Sequence, residues 1–357
     1  MNHALLKSVI YDQHEFIRDF QIVPRDYEFE ENGNYVLVGL RRAGKSTLLY
    51  KIVLDLVASG VSWEQIIYIN FEDERLSEFT VADFNDILSV QSELSNKKGY
   101  FFLDEVQNIT GWEKFARRMA DAKEHIYITG SNAKMLSREI ETTLGGRFFA
   151  RHITPYAFGE YLTACGIPHD EPALLGTKTN GKIRAACAQY LQYGGLPESL
   201  LYKARREYIS SVYQKVLLGD IITRNSIRND YAVKILIKKI AESVRSEISY
   251  SKLQKTLRAV NVSLAKDTIA DYIRYAEDAY LLFHLQNYYA NHVEEEFCRR
   301  TVGDRAGIPA GGRLQHHLRV GRAECTRQRE PRHRPPPADG YSLQLSGLQE
   351  VRPYPRL

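Results

Sequence analysis

The segment Gly39-Leu-Arg-Arg-Ala-Gly44-Lys45-Ser46 has the spacing GxxxxGK[ST], and it decides the fold of this chain of 357 residues. It follows Tyr35-Val-Leu-Val38, a short apolar run that is typical of a buried parallel strand. After Lys45 the apolar residues recur on one face of a helix, at Leu48, Leu49, Ile52, Val53, Leu56 and Val57. The sequence therefore predicts a strand, a glycine loop and a helix in succession.

A glycine loop of this kind binds phosphate groups. Glycine permits the tight turn, and the free N–H groups and positive dipole end of the following helix attract phosphate oxygens. Lys45 adds a charge at the β- and γ-phosphates, and Ser46 adds a hydroxyl ligand for Mg²⁺. The side chains of Arg41 and Arg42 are either solvated loop charges or phosphate contacts. The predicted nucleotide-binding residues of the loop are Gly39, Leu40, Arg41, Arg42, Ala43, Gly44, Lys45, Ser46 and Thr47.

Two adjacent carboxylates follow a second apolar run, in Tyr100-Phe-Phe-Leu-Asp104-Glu105. In an open parallel sheet the carboxyl ends of the strands face the ligand. We therefore expect Asp104 to hold Mg²⁺ and Glu105 to act as the general base that activates the attacking water. The alternative is an acidic pair that simply ends a strand.

Further strands fit the same parallel sheet, so the predicted fold class is α/β. They are residues 66–71 and the run His125 to Gly130, with a helix over Trp112 to Ala122 between them. Ser131 and Asn132 follow the last of these strands. Either of them would lie beside the γ-phosphate and position the water, unless the pair only caps a turn.

Four segments in order resemble the prokaryotic AAA-type ATPases of the archaeal-ATPase-like group, which are often described as ATP-binding proteins with a C-terminal domain of unknown function. The segments are GLRRAGKSTLL, YFFLDEVQNITGWEKFARR, ITGSNAKMLSREIETTLGGR and YLQYGGLPE. The resemblance covers residues 1–291. It implies a P-loop AAA+ core at 1–155, a helical lid at 156–225 and a winged-helix domain at 226–291.

The resemblance also implies roles for single residues. Ser131 and Asn132 match the sensor turn, and Arg147 stands where such ATPases present an arginine to a nucleotide, usually in the neighbouring subunit. Pro197 lies in a Gly-x-Pro motif through which the lid touches the nucleotide. A structural salt bridge for Arg147 and a plain helix–helix turn at Pro197 are the alternatives. Members of the group usually continue into a nuclease-like domain, and no matching acidic strand follows Asn291.

The formal net charge of +4 belongs entirely to the last residues of the chain. Residues 292–357 hold 12 arginines, no lysine and eight acidic residues, together with seven of the 12 prolines. We expect this Arg/Pro-rich tail to have little order. It is a disordered extension, a frameshifted end or a nucleic-acid-binding arm.

Composition narrows the class of protein further. No apolar run approaches the length that spans a bilayer, and the four cysteines lack CxxC spacing, so we expect a cytoplasmic protein. The predicted function is ATP binding and hydrolysis coupled to movement of the lid and winged helix, with homo-oligomerisation as a possible requirement. A nucleotide-gated DNA switch and a truncated, inactive fragment are the alternatives. DNA has weak support, because the predicted recognition helix within 265–279 carries more acidic than basic residues.

Overall fold

A computed structural model describes residues 1–30, 32–131, 142–243, 249–285 and 300–303. These residues fall within one compact unit, Met1–Gln315. Asn132 lies outside the described residues, as does the tail apart from the four residues at 300–303. Among the described residues, no helix is long and apolar enough to cross a membrane.

Five parallel strands form the central sheet, and the sequence predicts four of them. Their order in space is β2-β3-β4-β1-β5, so β4 lies between the strand before the glycine loop and the strand that ends in Asp104. The strands are β1 (Tyr35–Val38), β2 (Ile66–Asn70), β3 (Tyr100–Asp104), β4 (His125–Gly130) and β5 (Phe149–His152).

Helices pack against the sheet, and after β5 further helices follow one another along the chain. They are α1 (His3–Arg18), α2 (Lys45–Ala58), α3 (Phe84–Leu94), α4 (Trp112–Asp121), α5 (Phe158–Ala164), α6 (Glu171–Leu175), α7 (Thr177–Tyr193), α8 (Arg205–Lys215), α9 (Asp230–Glu242), α10 (Tyr250–Arg258) and α11 (Lys266–Asp278).

The core lies between the sheet and these helices. Strands β1 and β2 are buried almost throughout, as expected for a parallel sheet whose two faces are covered. Helix α1 packs against β2 and α3 through Leu6, Val9 and Ile10, which are fully buried. The sequence analysis did not predict α1 or β5. All four residues of β5 are exposed, so its pattern gave no signal of a buried strand.

Residues 156–225, where the sequence predicts a lid, contain helices α5 to α8. Helix α8 ends at Lys215, and the chain continues as a π-helix over Val216–Thr223. The π-helix places Asp220 on a buried face, together with Leu217 and Ile221. A π-helical turn is rare and is frequently found at functional sites.

Three helices, α9 to α11, precede a two-stranded antiparallel sheet of β6 (Leu282–Leu285) and β7 (Arg300–Gly303). The sequence predicts that residues 300–303 belong to the low-order tail. Their pairing with β6 corrects that boundary, because backbone hydrogen bonds between strands, and not side-chain pattern, define this element.

Candidate functional site

The glycine loop connects β1 to α2, and its two glycines are required by geometry. A Cβ atom on Gly39 would lie 2.1 Å from the carbonyl oxygen of Ile153, whose N–H donates to Val38 at 2.7 Å. Gly44 has φ 96° and directly precedes the helix at Lys45. The backbone therefore adopts a conformation that side chains disfavour, and it does so where phosphate oxygens would approach it.

Lys45 is buried at the start of α2. Its ammonium donates to the carbonyls of Gly39 at 3.1 Å and Leu40 at 3.2 Å, and lies 3.7 Å from the carboxylate of Glu105. Burial lowers the pKa of Lys45, while the Glu105 and Asp104 carboxylates oppose that shift. Ser46 and Thr47 follow in the first turn and are partly exposed.

Asp104 ends β3 and is nearly inaccessible to solvent. Its carboxylate accepts hydrogen bonds from the hydroxyls of Tyr68 at 2.8 Å and of Thr129, and the nearby Ser46 hydroxyl also favours its ionised form, which lowers its pKa. Burial and the neighbouring Glu105 carboxylate raise the pKa of Asp104 despite these bonds. The predicted Mg²⁺ ligands Ser46 and Asp104 thus lie near each other.

Glu105 has a left-handed backbone conformation, with φ 52° and ψ 41°. Its N–H donates to the hydroxyl of Thr129 at 2.9 Å, which holds this disfavoured turn at the end of β3. Burial would raise the pKa of Glu105, but the Lys45 cation and bonds from Gln107 and Ser131 outweigh it and hold that pKa below its ordinary value. The carboxylate is therefore ionised at neutral pH, as a general base requires.

Ser131 lies beside this carboxylate, where the sequence predicts the water-positioning turn. The amide of Gln107 donates to Glu105 at 2.5 Å and approaches the Ser131 hydroxyl at 3.4 Å. The Gln107 carbonyl oxygen is buried without a hydrogen-bond partner among the described residues. A polar group or water at the site can donate a hydrogen bond to that oxygen.

The side chain of Arg41 is 15% exposed and that of Arg42 is 55% exposed, so a solvated loop charge describes Arg42 and not Arg41. Arg41 donates to Asp220 through Nε at 3.0 Å and to Glu72 through Nη1 at 2.6 Å. Arg42 donates to both carboxylate oxygens of Glu198 at 2.9 Å. Carboxylates far along the chain hold both side chains, which the local sequence does not reveal.

Pro197 lies next to the glycine loop. Its ring carbon would be 3.7 Å from a Cβ atom on Gly44, and the guanidinium of Arg25 would be 3.5 Å from the same point. Arg25 also donates to the carbonyl of Ala43 at 2.9 Å. The structure therefore brings the predicted lid motif to the loop, and Arg25 joins it.

Arg147 lies at the opposite edge of the sheet. It precedes β5, whose first residue is paired in register with the first residue of β1, so it lies at the amino ends of the strands. Its guanidinium forms an ion pair with Asp121 at the end of α4. Arg147 is thus remote from the phosphate loop of its own chain.

Sequence reasoning missed several site residues. Thr129 and Gln107 are each within two residues of a recognised motif, and a search for hydroxyl and amide groups beside the motifs would have found them. Tyr68 contacts Asp104 from the neighbouring strand. Asp220 is 179 residues from Arg41, and no local sequence pattern predicts their contact.

One prediction concerns stability. Replacing Asp104 with asparagine should raise the Tm of the nucleotide-free protein by about 2–4 °C, because it removes a desolvated carboxylate that repels Glu105. The raised pKa means that the parent recovers this stability as pH falls and Asp104 is protonated. The gain should therefore be present at pH 7 and shrink toward the ordinary value of 3.8, as measured by thermal unfolding.

The matched control is Asp26→Asn, at an exposed position, which should leave Tm within about 1 °C at both pH values. A lower Tm for Asp104→Asn at pH 7 would contradict the repulsion between the two carboxylates.

The geometry defines a class of protein. A glycine loop at a helix start, a buried lysine, and a hydroxyl paired with a strand-ending aspartate form the site of a P-loop nucleotide-binding protein. Residues 31–162 match a family model described as an AAA domain, and residues 184–302 match a domain of unknown function (DUF8612). Residues 31–162 therefore form an AAA domain, which confirms the resemblance seen in that part of the sequence.

Two curated relatives are uncharacterized proteins. One, from Methanocaldococcus jannaschii, is 32% identical over 289 residues, which cover 80% of this chain and 64% of the relative. The other, from Haemophilus influenzae, is 31% identical over 257 residues, which cover 71% of this chain and 62% of the relative. The chain thus spans less than two thirds of the length of either relative.

Solved structures similar to this chain include a Walker-type ATPase of Pyrococcus abyssi, with a TM-score of 0.46 and 12% identity, covering 84% of this chain and 93% of that one. DnaA from Aquifex aeolicus, bound to AMPPCP, has a TM-score of 0.29 and 16% identity, covering 76% and 88%. Both TM-scores are below 0.5, so the residues of this chain carry the functional argument.

Proposed function

We propose that this chain is a cytoplasmic ATPase that binds Mg·ATP at residues 39–47 and uses hydrolysis to move the lid and the helices that follow it. One observation carries the proposal. Lys45, Ser46, Asp104, Glu105 and Ser131 come from three elements and meet at the carboxyl ends of adjacent strands. This is where a parallel sheet binds its ligand.

Binding begins with the loop and with Lys45. The ammonium of Lys45 now donates to two loop carbonyls, and phosphate oxygens are stronger acceptors because they are charged. The N–H groups at the start of α2 add donors for the same phosphates. Thr47, in the first turn, would donate toward the α-phosphate.

Ser46 and Asp104 fit a magnesium ion. Hydroxyl and carboxylate oxygens are the ligands that Mg²⁺ prefers, and a cation would stabilise the Asp104 carboxylate, whose pKa is raised by burial and by the neighbouring Glu105. When bound, Mg²⁺ neutralises charge that develops on the phosphate oxygens.

Glu105 takes the proton of the attacking water. Its carboxylate is ionised, buried, and oriented by Gln107 and by the strained turn of its own backbone. Ser131 adds a hydroxyl at the same place, and Asn132 is the other proposed water-positioning residue. A fixed base in a dry site avoids the reorganisation that water would need.

Movement can pass from the loop to the lid through direct contacts. Arg42 pairs with Glu198, Arg41 pairs with Asp220, and Pro197 lies beside Gly44. A change in the loop on nucleotide binding would alter contacts with residues 156–225. The proposal extends the coupling to the winged-helix domain at 226–291.

We further propose that Arg147 completes the site of a neighbouring subunit. At high protein concentration, Arg147→Ala should lower turnover by about 10³-fold, the low end of the range for a trans-acting arginine. The change should barely affect folding, because the exposed ion pair with Asp121 contributes about 0–1 kcal/mol. Turnover measured against protein concentration, with thermal unfolding alongside, tests this.

Arg117→Ala is the matched control, since Arg117 approaches the same Asp121 at 3.8 Å. It should retain parental turnover. If parental turnover per subunit does not depend on concentration and Arg147→Ala equals Arg117→Ala, the oligomeric part of the proposal fails.

DNA remains a second candidate partner, and the same assay tests it. Arg274 of α11 pairs with Asp271 of the same helix, which lowers the positive charge available to phosphates. Turnover that rises on adding duplex DNA, with a steep dependence on salt, would favour a nucleotide-gated DNA switch. Turnover insensitive to DNA favours an ATPase that works on another partner.

A further inference from the structure

Arg41 is a charged side chain held inside the site by residues distant in sequence. Its side chain is only 15% exposed, although it belongs to a loop. Asp220, which holds it, is 4% exposed and lies in the π-helix of the lid. A buried ion pair with a long separation along the chain is costly to assemble, and breaking it leaves an unpaired charge.

The guanidinium is held from one side. Nε and Nη2 donate to the two oxygens of Asp220 at 3.0 and 3.2 Å, a bidentate arrangement that fixes the plane of the group. Arg224 also donates to Asp220 at 2.9 Å, which keeps this carboxylate in place. Asp220 therefore orients Arg41 and does not merely neutralise it.

The other edge of the guanidinium has donors to spare. Arginine has five N–H groups, and contacts with the described residues use three of them, two on Asp220 and one on Glu72. Glu72 is 44% exposed, so water can solvate its carboxylate at little cost when it separates from Arg41. The outer edge of Arg41 can thus receive a second bidentate anion.

Arg41 also lies close to the reacting end of the site. Lys45 donates to the carbonyl of Leu40, the residue before Arg41. Its guanidinium contacts Glu72, which lies two residues beyond Asn70, and Asn70 is paired in register with Asp104 at the carboxyl ends of β2 and β3. This contact places the guanidinium at the edge of the sheet where the terminal phosphate would lie.

We propose that Arg41 binds the terminal phosphate of ATP from within its own loop, displacing Glu72, and that Asp220 is the positioning residue that aims it. The inference rests on the proposed ATPase function and deepens it. The AAA domain supplies the arginine, and the domain matched at 184–302 supplies the carboxylate that directs it. Movement of the lid would then change the orientation of Arg41 toward the terminal phosphate.

Nucleotide affinity is the first test. Affinities for AMPPNP and for ADP are measured by calorimetry on the full chain and on Arg41→Gln. We expect the affinity for AMPPNP to fall about 10–100-fold and that for ADP to change by less than about threefold, because only the triphosphate reaches Arg41. Equal losses for both nucleotides would show that Arg41 supports the loop and does not bind the terminal phosphate.

The matched control is Arg75→Gln. This arginine is also bound by two carboxylates, those of Asp73 and Asp12, outside the site. It should leave both affinities at the parental values.

The role of Asp220 is tested through turnover. Asp220→Asn should lower kcat about tenfold with little change in KM, since it misdirects an arginine that is still present. In Arg41→Gln, adding Asp220→Asn should not lower kcat further, because the arginine that Asp220 orients is absent. A double variant whose kcat falls by the product of the two single effects would refute positioning.

Glu72→Gln gives an answer even if Asp220→Asn fails to fold. Since Glu72 competes with phosphate for Arg41, its neutralisation should strengthen AMPPNP binding about two- to threefold and leave ADP unchanged. Weaker AMPPNP binding would contradict the displacement of Glu72. Lack of nucleotide binding by the parent chain would instead reject the proposed function, so the two failures are distinguishable.

Discussion

Glu105→Gln is expected to lower kcat for ATP about 10³-fold while leaving ATP affinity within about threefold of the parent. The loss lies within the range for removal of a general base. Glutamine keeps the size of the side chain, and its amide can still contact Gln107 and Ser131, so the site should keep its shape. Phosphate release under saturating Mg·ATP measures turnover, and calorimetry measures binding.

Glu78→Gln provides the matched control for this variant. Glu78 is exposed and its substitution makes the same chemical change outside the site, so both quantities should equal those of the parent. Turnover of Glu105→Gln within a few-fold of the parent would show that Glu105 is not the general base.

Lys45→Met is expected to lower ATP affinity by at least about 100-fold. Removing one partner of a buried charge pair costs about 2–5 kcal/mol, and methionine fills the same space without the charge. The same change leaves Glu105 without its cation, so the pKa of Glu105 should rise. Calorimetry with ATP and with ADP measures the loss, which should be present for both because Lys45 reaches the β-phosphate.

Lys51→Met serves as the control on the same helix. Lys51 is paired with Asp55 one turn away and is partly exposed, so its loss should affect neither nucleotide affinity nor turnover. If Lys45→Met binds ATP as tightly as the parent, the phosphate-binding role of the loop is wrong, and with it the enzymatic interpretation.

These two variants and the arginine variants separate different parts of the site. Lys45→Met affects binding of both nucleotides, Glu105→Gln affects turnover alone, and Arg41→Gln affects the triphosphate alone. Because each has a distinct pattern across ATP affinity, ADP affinity and kcat, a general folding defect cannot imitate all three.

The sequence by itself determined the sheet and the position of the phosphate site. A glycine loop after an apolar strand, and an acidic pair after another, are local patterns whose meaning depends on a few neighbouring residues. Parallel strands then bring Lys45, Asp104, Glu105 and Ser131 together, because their carboxyl ends lie at one edge.

The tertiary structure alone decided which groups form hydrogen bonds and ion pairs with the side chains of that site. Thr129 binds both Asp104 and Glu105 because β4 lies between β1 and β3, an order that the chain sequence does not state. Arg41 is bound by Asp220 because the π-helix brings a carboxylate to the loop. Long charged side chains choose partners by proximity and burial, and elements far apart in sequence set both.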